Sequence, residues 1–164
     1  MEDRREIFTL EKTTWTHEDF DVMGWHDATI HAFGFDKHEN SSTGDFILDI
    51  DYIFQWVKND PPEKAFMFWV APCTLVFKDA FHLKLNLDTN DSAVEGLEIA
   101  DLLLNGHTKH ENITTFQWTI ELQLGQITLD STGFVQTVRK EPVLQIEQVL
   151  SYTQRGGVSL TRVP

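Results

Sequence analysis

Residues 46–56 alternate between two sets of side chains, and this alternation constrains the fold more than any other feature of the sequence. The first set is apolar and largely aromatic: Phe46, Leu48, Ile50, Tyr52, Phe54 and Trp56. The second set is mixed: Ile47, Asp49, Asp51, Ile53 and Gln55. Successive side chains point to opposite faces of a strand, whereas a helix would spread both sets around its axis. The stretch is therefore predicted to be a β-strand with one apolar face and one mixed face.

Shorter patterns of the same kind recur along the chain, separated by turn-forming residues. The predicted strands are residues 6–11, 28–36, 65–71, 73–78, 82–88, 97–103, 115–122 and 127–138. Gly125-Gln126 is predicted to form a two-residue hairpin turn, because glycine readily takes a positive φ. Thr16 and Asp19 match a capping box at the start of a short helical turn. Pro142 predicts a short helix over residues 142–150.

These elements predict a mainly β fold, or an α+β fold with little helix. About eight or nine strands follow one another through short loops, without the long intervening helices of a parallel sheet. Strands with one wet and one dry face are typical of antiparallel sheets. We therefore predict an antiparallel β-sandwich or a partly open barrel with one or two short helices. The 164 residues fit one domain of ordinary size, so residues 1–164 are predicted to form a single domain.

The chain carries a formal net charge of −13, from 26 acidic and 13 basic residues. Phosphate backbones and acidic membranes repel a negative surface, which disfavours binding to nucleic acid or to a membrane. A basic protein partner is compatible with this charge, because an opposite field speeds the encounter of two proteins. No apolar stretch approaches the ~20 residues of a membrane helix, and no signal-peptide core follows the charged N-terminus. These features predict a cytoplasmic protein without membrane association.

Several sequence signatures of common enzymes and cofactor sites are absent. The chain has no glycine-rich phosphate loop, no nucleophile elbow, no His-Glu-x-x-His and no paired Cys-x-x-Cys. Its one cysteine, Cys73, lies in an apolar run, which is typical of a buried thiol rather than of a nucleophile. We therefore expect no cofactor.

The sequence Trp25-His26-Asp27 stands just before a predicted strand. A histidine beside an acid can act as a general base or bind a metal. Alternatively, His26 and Asp27 satisfy backbone groups where the strand begins, while Trp25 packs. Side chains of adjacent residues in an extended chain point in opposite directions, so no direct contact between His26 and Asp27 is expected. Trp25 and Trp56 are the aromatic candidates for a binding surface.

Asp49 and Asp51 lie on one face of the strand predicted at residues 46–56. Two carboxylates on one face repel each other unless they are solvated, paired or bridged by a cation. A hard divalent cation accepts such ligands, and acid–base hydrolysis of a glycoside needs two carboxyl groups about 5–10 Å apart. A solvated outer face is the alternative, although Ile47 and Ile53 indicate that this face is not entirely wet.

His107 and His110 are three residues apart within a polar segment that is predicted to be a loop. Such spacing can serve a metal when the residues lie on a helix, but no clear third ligand accompanies this pair. A solvated loop is the favoured interpretation, and no metal site is predicted.

The segment Trp25-His26-Asp27-Ala28-Thr29-Ile30, followed by Asp49-Ile50-Asp51-Tyr52 on the next strand, resembles small uncharacterised bacterial β-rich proteins. Some immunity-type proteins open with a similar pattern of an aromatic residue or leucine, then His and Asp, then a strand. The resemblance implies a small bacterial cytoplasmic protein with no assigned activity. It transfers no catalytic residue to this chain.

Two functions are compatible with these observations. The charge, the small size and the absent motifs favour a non-catalytic binding protein, immunity-like in kind, that engages a basic protein partner. The alternative is a metal-dependent or acid–base enzyme that uses four residues: His26, Asp27, Asp49 and Asp51. That alternative requires the two strands to be neighbours and the four side chains to converge in one cleft.

Overall fold

The computed structural model describes residues 8–58, 66–89 and 97–163. This part of the chain forms ten strands and two short helices. The strands are β1 (Thr14–Thr16), β2 (Thr29–Lys37), β3 (Gly44–Val57), β4 (Met67–Lys78), β5 (Phe81–Leu87), β6 (Ile99–His110), β7 (Ile113–Leu122), β8 (Gly125–Ser131), β9 (Gly133–Val138) and β10 (Val143–Gln145). The helices are a 3₁₀ helix (His17–Val22) and α1 (Tyr152–Arg155).

The strands form two antiparallel sheets. In the first sheet the order is β1-β9-β4-β3-β2, and β10 pairs with β4 beyond the end of β9. In the second sheet the order is β5-β8-β7-β6. The predicted mainly β, antiparallel fold with few short helices is confirmed. Of the two predicted architectures, the described residues form the sandwich.

The inner faces of the two sheets enclose one apolar core. The apolar face predicted for residues 46–56 contributes four buried side chains to this core: Phe46, Leu48, Ile50 and Tyr52. From the second sheet, the ring of Trp118 lies 5.5 Å from the ring of Phe134 on the first sheet. Large rings from both sheets are thus buried against each other in this core.

A β-bulge near the end of β3 changes the face that its last residues occupy. The pairing of β3 with β4 shifts between Ile53 and Gln55. A bulge inserts one extra residue, so the alternation of side chains reverses beyond it. Trp56, which the alternation placed on the apolar inner face, is therefore opposite Phe68 and 45% exposed.

Residues 139–162, here called the C-terminal segment, cover the mixed face of β3. Residues 143–145 pair with residues 68–70 on β4. Leu150 packs with three buried residues of the sheet: Ile53, Phe68 and Val70. The helix predicted over residues 142–150 is wrong, because the free edge of β4 offers backbone partners to an extended chain. The short helix α1 begins only at Tyr152.

The start of the chain combines one confirmed and one corrected prediction. The capping box is confirmed, since the Thr16 side chain accepts from the Glu18 amide and the Thr16 amide donates to Asp19 Oδ2. The strand predicted at residues 6–11 is not observed over residues 8–11, and residues 6 and 7 lie outside the described part of the chain. Neither helix of the described residues has the length and apolar character needed to cross a membrane.

The two hairpins of the second sheet also differ in detail from the predictions. Leu122 pairs with Gly125, so the two-residue turn is Gln123-Leu124 and Gly125 opens β8 with a φ of 124°. His107 and His110 lie in β6 rather than in a loop, because β7 pairs with β6 up to its last residue. Cross-strand hydrogen bonding thus carries β6 through a segment whose polar composition indicated a loop.

Candidate functional site

The Trp25-His26-Asp27 sequence lies where the two sheets are joined. The Asp27 amide donates to the Ile99 carbonyl at 2.8 Å, and the Ile99 amide donates to the Ala28 carbonyl at 2.8 Å. Glu98 forms an isolated bridge with Thr29. The beginning of β2 is therefore fastened to the beginning of β6, on the other sheet. The backbone that carries His26, Asp27 and Glu98 is therefore fixed by hydrogen bonds between the two sheets.

His26 and Asp27 contact each other, contrary to the prediction. Asp27 has a φ of 66°, in the left-handed region that few residues other than glycine adopt. Because the chain turns here instead of extending, His26 Nδ1 lies 2.9 Å from Asp27 Oδ1. Asp27 Oδ2 accepts a hydrogen bond of 2.8 Å from Gln148 Nε2, in the C-terminal segment. The Asp27 side chain is thus buried and held from two sides, whereas 68% of the His26 side chain is exposed.

Glu98 brings a second carboxyl group to Asp27. Partial burial raises the pKa of Glu98, and so do the hydrogen bond and the negative charge of the neighbouring Asp27 carboxyl group. His26 and Gln123 act in the opposite direction but do not outweigh these effects. Two carboxyl groups in contact repel each other when both are ionised, so Glu98 releases its proton less readily than an isolated glutamate does.

Two more carboxyl groups, those of Asp101 and Glu121, lie on the strands next to Glu98. Asp101 follows on β6 and is directly opposite Glu121 on β7. Both side chains are exposed, and like charges directly opposite on neighbouring strands repel each other. No lysine or arginine of the described residues forms an ion pair with either carboxylate. We call this surface, formed by Asp27, Glu98, Asp101 and Glu121, the acidic junction.

An exposed aromatic cluster adjoins the acidic junction. The Trp56 ring lies edge-on to the rings of Phe66 and Phe68, at 5.7 and 5.0 Å, and 6.3 Å from the ring of His26. Trp56 is 45% and Phe66 41% exposed. Aromatic side chains of this kind, partly packed and partly open to solvent, are typical anchors of protein interfaces.

Trp25, the other predicted binding residue, belongs to the core instead. It is 2% exposed. Its ring stacks on Phe20 at 5.7 Å and meets Phe134 edge-on at 5.5 Å. Its indole N–H donates to Gln136 Oε1 at 2.9 Å. The prediction of a binding role for Trp25 is wrong, because the residue precedes the turn that exposes His26.

Asp49 lies beneath the C-terminal segment and is inaccessible to solvent. It accepts hydrogen bonds from the Arg155 guanidinium at 2.7 and 2.9 Å, from Arg139 at 2.6 Å and from the Ser159 amide at 2.9 Å. Burial alone would raise the pKa of Asp49, but these donors together hold that pKa below its usual range. Asp49 is therefore a buried, ionised carboxylate.

Asp51 completes this buried cluster. One carboxylate oxygen accepts from Arg155 Nε at 3.2 Å. The other accepts from the Leu150 amide at 2.9 Å and lies 2.8 Å from His31 Nε2. The two aspartates are thus paired with the C-terminal segment and not solvated.

The four candidates of the enzyme alternative therefore occupy two different settings. His26 and Asp27 lie at the acidic junction. Asp49 and Asp51 have no solvent exposure, and each of their carboxylate oxygens already has a partner within the protein. A cation or a substrate would have to displace Arg155 before reaching either carboxylate. This arrangement argues against a shared acid–base or metal site.

Another cluster with metal-ligating side chains lies at the opposite end of β3. His38, Asp45 and Asp79 bring one possible ligand atom each within 4.8 Å of one another. However, Asp45 Oδ2 already binds Lys78 Nζ at 2.6 Å and Arg162 at 2.9 Å. Although burial opposes ionisation, Lys78, the Asp79 amide and His38 hold the pKa of Asp45 below its usual range. The buried carboxylate is neutralised by protein cations, so the donor set does not suit a metal.

Replacing Glu98 with glutamine is expected to stabilise the protein at pH 8. The raised pKa means that folded Glu98 holds its proton at a pH where the unfolded chain has released it. The resulting stability is present below the unfolded pKa and is lost as pH rises through the folded pKa. Glu98→Gln removes this loss, so its free energy of unfolding should exceed that of the wild type by about 0.2–1 kcal/mol at pH 8.

Urea denaturation at pH 8 and at pH 4 measures this effect. The gain should disappear at pH 4, where Glu98 is protonated in both states. Glu39→Gln, at an exposed position outside the junction, is the control and should change little at either pH. An equal gain in the free energy of unfolding for Glu98→Gln at both pH values would contradict a raised pKa of Glu98.

The protein was also compared with known proteins. No family model and no curated protein matches the sequence, and no solved structure matches the fold. The resemblance to immunity-type proteins therefore stays a prediction, and the function has to be argued from the geometry of the acidic junction.

Proposed function

We propose that this chain is a non-catalytic binding protein of the bacterial cytoplasm that engages a basic protein partner. The contact surface in this proposal is the acidic junction together with the aromatic cluster around Trp56. One observation carries the proposal: the exposed, partly packed Trp56 lies beside His26, which contacts Asp27 of the acidic junction. Asp101 and Glu121 of the same junction have no lysine or arginine partner among the described residues. An immunity-like role is the form of this function that the sequence pattern favours.

The distribution of charge supports a basic partner. Buried Asp49 and Asp51 are balanced by Arg139 and Arg155, so these two carboxylates do not account for the net charge of −13. A field of this sign accelerates the approach of a positively charged protein and repels an acidic one. Lysine or arginine side chains of a partner would also relieve the repulsion between Asp101 and Glu121.

The aromatic cluster supports a protein rather than a small ion as the ligand. Interfaces draw most of their affinity from a few central residues, and tryptophan is the most enriched among them. Trp56 is supported by Phe68 beneath it and flanked by Phe66 and His26, so its ring is already oriented. A preoriented anchor loses little side-chain entropy on binding.

The enzyme alternative receives less support from the structure. Two of its four residues are closed off by the C-terminal segment. The remaining pair, His26 and Asp27, lies where the two sheets are joined and is accompanied by Glu98. The raised pKa of Glu98 is explained by partial burial and by the nearby Asp27 carboxyl group, and it needs no catalytic role.

Affinity capture from a bacterial lysate, with the immobilised protein at 50 and 500 mM salt, tests the proposal. The wild type should retain a basic protein at low salt and lose it at high salt. The double variant Asp101→Lys/Glu121→Lys and the single variant Trp56→Ala should each weaken its binding about tenfold or more.

Glu39→Lys/Glu141→Lys is the matched control, because it changes the net charge equally at exposed positions outside the junction. This control should keep most of the affinity. Equal loss in both double variants would show that binding is unspecific attraction between charges. If Trp56→Ala still retains the partner, the aromatic cluster is not part of the contact surface.

A further inference from the structure

The sandwich has a cavity at one end that is unrelated to the acidic junction. Its volume is about 420 Å³, within the range of small-molecule sites in proteins. The inner face of β3 forms its floor, and the residues that follow Phe8 and the end of the 3₁₀ helix form its sides. Its lining side chains include Phe8, Leu10, Trp15, Met23, Tyr52 and Phe54.

Aromatic rings meet at different angles around this cavity and fix its shape. Phe54 lies 5.4 Å from Trp15, 4.8 Å from Tyr52 and 5.8 Å from Phe8. Phe8 also stacks on Trp69 at 5.7 Å. Rings that contact one another in this way leave little room for collapse, so the cavity is preformed.

Tyr52 is the one polar residue among those lining the cavity that is deeply buried. Tyr52 is only 5% exposed, and its oxygen accepts a hydrogen bond of 3.1 Å from the Gly24 amide. No acceptor for the hydroxyl proton is found among the described residues. Burial raises the pKa of Tyr52 to about 12, so the proton stays on the oxygen at neutral pH. A buried donor without an acceptor costs free energy, which a ligand can recover.

The charges around the cavity define the ligand further. Glu11 is the only charged residue among those that line it, and no lysine or arginine of the described residues does so. An anionic ligand would be repelled by Glu11 and would find no lysine or arginine among the described lining residues. A strongly polar ligand would leave its groups unsatisfied against the aromatic walls.

We infer that this cavity binds a small, uncharged aromatic compound that carries one hydrogen-bond acceptor, which takes the proton of the Tyr52 hydroxyl. The aromatic walls contact the apolar body of the ligand, and Tyr52 selects for the acceptor. This site is independent of the proposed protein partner, because none of its lining residues belongs to the acidic junction or to the aromatic cluster around Trp56.

Acetophenone and ethylbenzene distinguish the two parts of this inference. The compounds have similar size and shape, but only acetophenone has a carbonyl oxygen. Each is titrated into the ¹⁵N-labelled full chain, and the amide signal of Gly24 and the indole signal of Trp15 are followed. Acetophenone should shift both signals saturably and bind about fivefold more tightly than ethylbenzene, the difference expected for one hydrogen bond.

Tyr52→Phe keeps the ring and removes the donor. It should bring the two affinities within a factor of about two of each other. Leu10→Trp places a larger side chain at the wall of the cavity and should weaken both compounds strongly. Leu104→Trp, at an exposed leucine of the second sheet, is its control and should leave both affinities unchanged.

Two results would overturn the inference. Absence of a saturable shift with either compound would mean that the cavity binds no ligand of this class. Equal affinity of the wild type for both compounds would mean that Tyr52 does not select an acceptor. Both readouts are independent of partner capture, so neither outcome bears on the proposed function.

Discussion

Replacing Arg155 with methionine is expected to lower the free energy of unfolding by about 3–5 kcal/mol, the range for breaking a buried ion pair from one side. Methionine has a similar length and fills much of the same volume. However, it leaves Asp49 and Asp51 inaccessible to water and without their shared guanidinium, since Arg155 contacts both. The other arginine of the cluster, Arg139, contacts Asp49 but forms no ion pair with Asp51.

Urea unfolding at pH 7, followed by tryptophan fluorescence, measures the loss. Lys12→Met is the matched control, because Lys12 forms an ion pair with Asp19 at the surface, where its side chain is 44% exposed. Exposed pairs contribute about 0–1 kcal/mol, so this control should change little. A loss below 1 kcal/mol for Arg155→Met would show that water reaches the two aspartates.

At acidic pH, the free energy of unfolding of Arg155→Met should differ less from that of the wild type. In the wild type, the lowered pKa of Asp49 contributes stability above the unfolded pKa, and this contribution is lost as pH falls through the folded pKa. In the variant that contribution is largely absent at pH 7 already. The two unfolding curves are therefore expected to approach each other as the pH falls below 4.

Replacing Gly125 with alanine is the second large effect that we expect, a loss of about 2–3 kcal/mol. The residue has a φ of 124°, which side-chain-bearing residues rarely adopt. A Cβ atom at this position would also lie 2.1 Å from the carbonyl oxygen of Asn86 on β5. Since that oxygen belongs to the backbone, relief requires a shift of the paired strands.

Gly106→Ala is the control for this prediction, measured by the same unfolding experiment. Gly106 lies at a bulge in β6, and an added Cβ would approach only the flexible end of the Gln117 side chain, at 3.1 Å. We expect a change within about 0.5 kcal/mol. Comparable losses at both positions would point to the bulk of the methyl group rather than to the backbone of Gly125.

The sequence was most informative where local physics decides the structure. The alternation of residues 46–56 predicted β3 and its buried inner face, and the capping box predicted the 3₁₀ helix. The hairpin turn was predicted at Gly125-Gln126, two positions beyond the observed Gln123-Leu124, although the positive φ of Gly125 was predicted correctly. Positive φ alone cannot distinguish the last turn residue from the first residue of the next strand. Cross-strand pairing, which decides between them, is not visible in the sequence.

The candidate site was predictable only in part. His26, Asp27 and Trp56 were identified from the sequence, but Glu98 was not, because its partner Asp27 is far away along the chain. Both tryptophans were predicted as binding residues, but Trp25 lies in the core, whereas Trp56, which the alternation placed on the apolar face, is exposed. A one-residue bulge exposed Trp56, and the alternation of side chains in residues 46–56 does not predict such a bulge.

One feature of the sequence did indicate the buried ion pairs. Two aspartates between Ile47 and Ile53 indicated a face that was neither wet nor dry. Such a face requires cations from a distant segment, and Arg139 and Arg155 are candidates by charge. Their assignment still needs the path of the C-terminal segment, which weak hydrophobic patterning does not define.

The separation of Asp49 from Arg155 has a consequence for the growing chain on the ribosome. The two residues are 106 positions apart, so at about 5–20 residues per second the arginine is synthesised roughly 5–20 s after its aspartate. During that interval β3 carries two carboxylates that resist burial, and β4 has no β10 along its edge. A nascent chain that stalls before Arg155 therefore lacks the guanidinium that pairs with both aspartates of β3, and remains a substrate for chaperones and proteases.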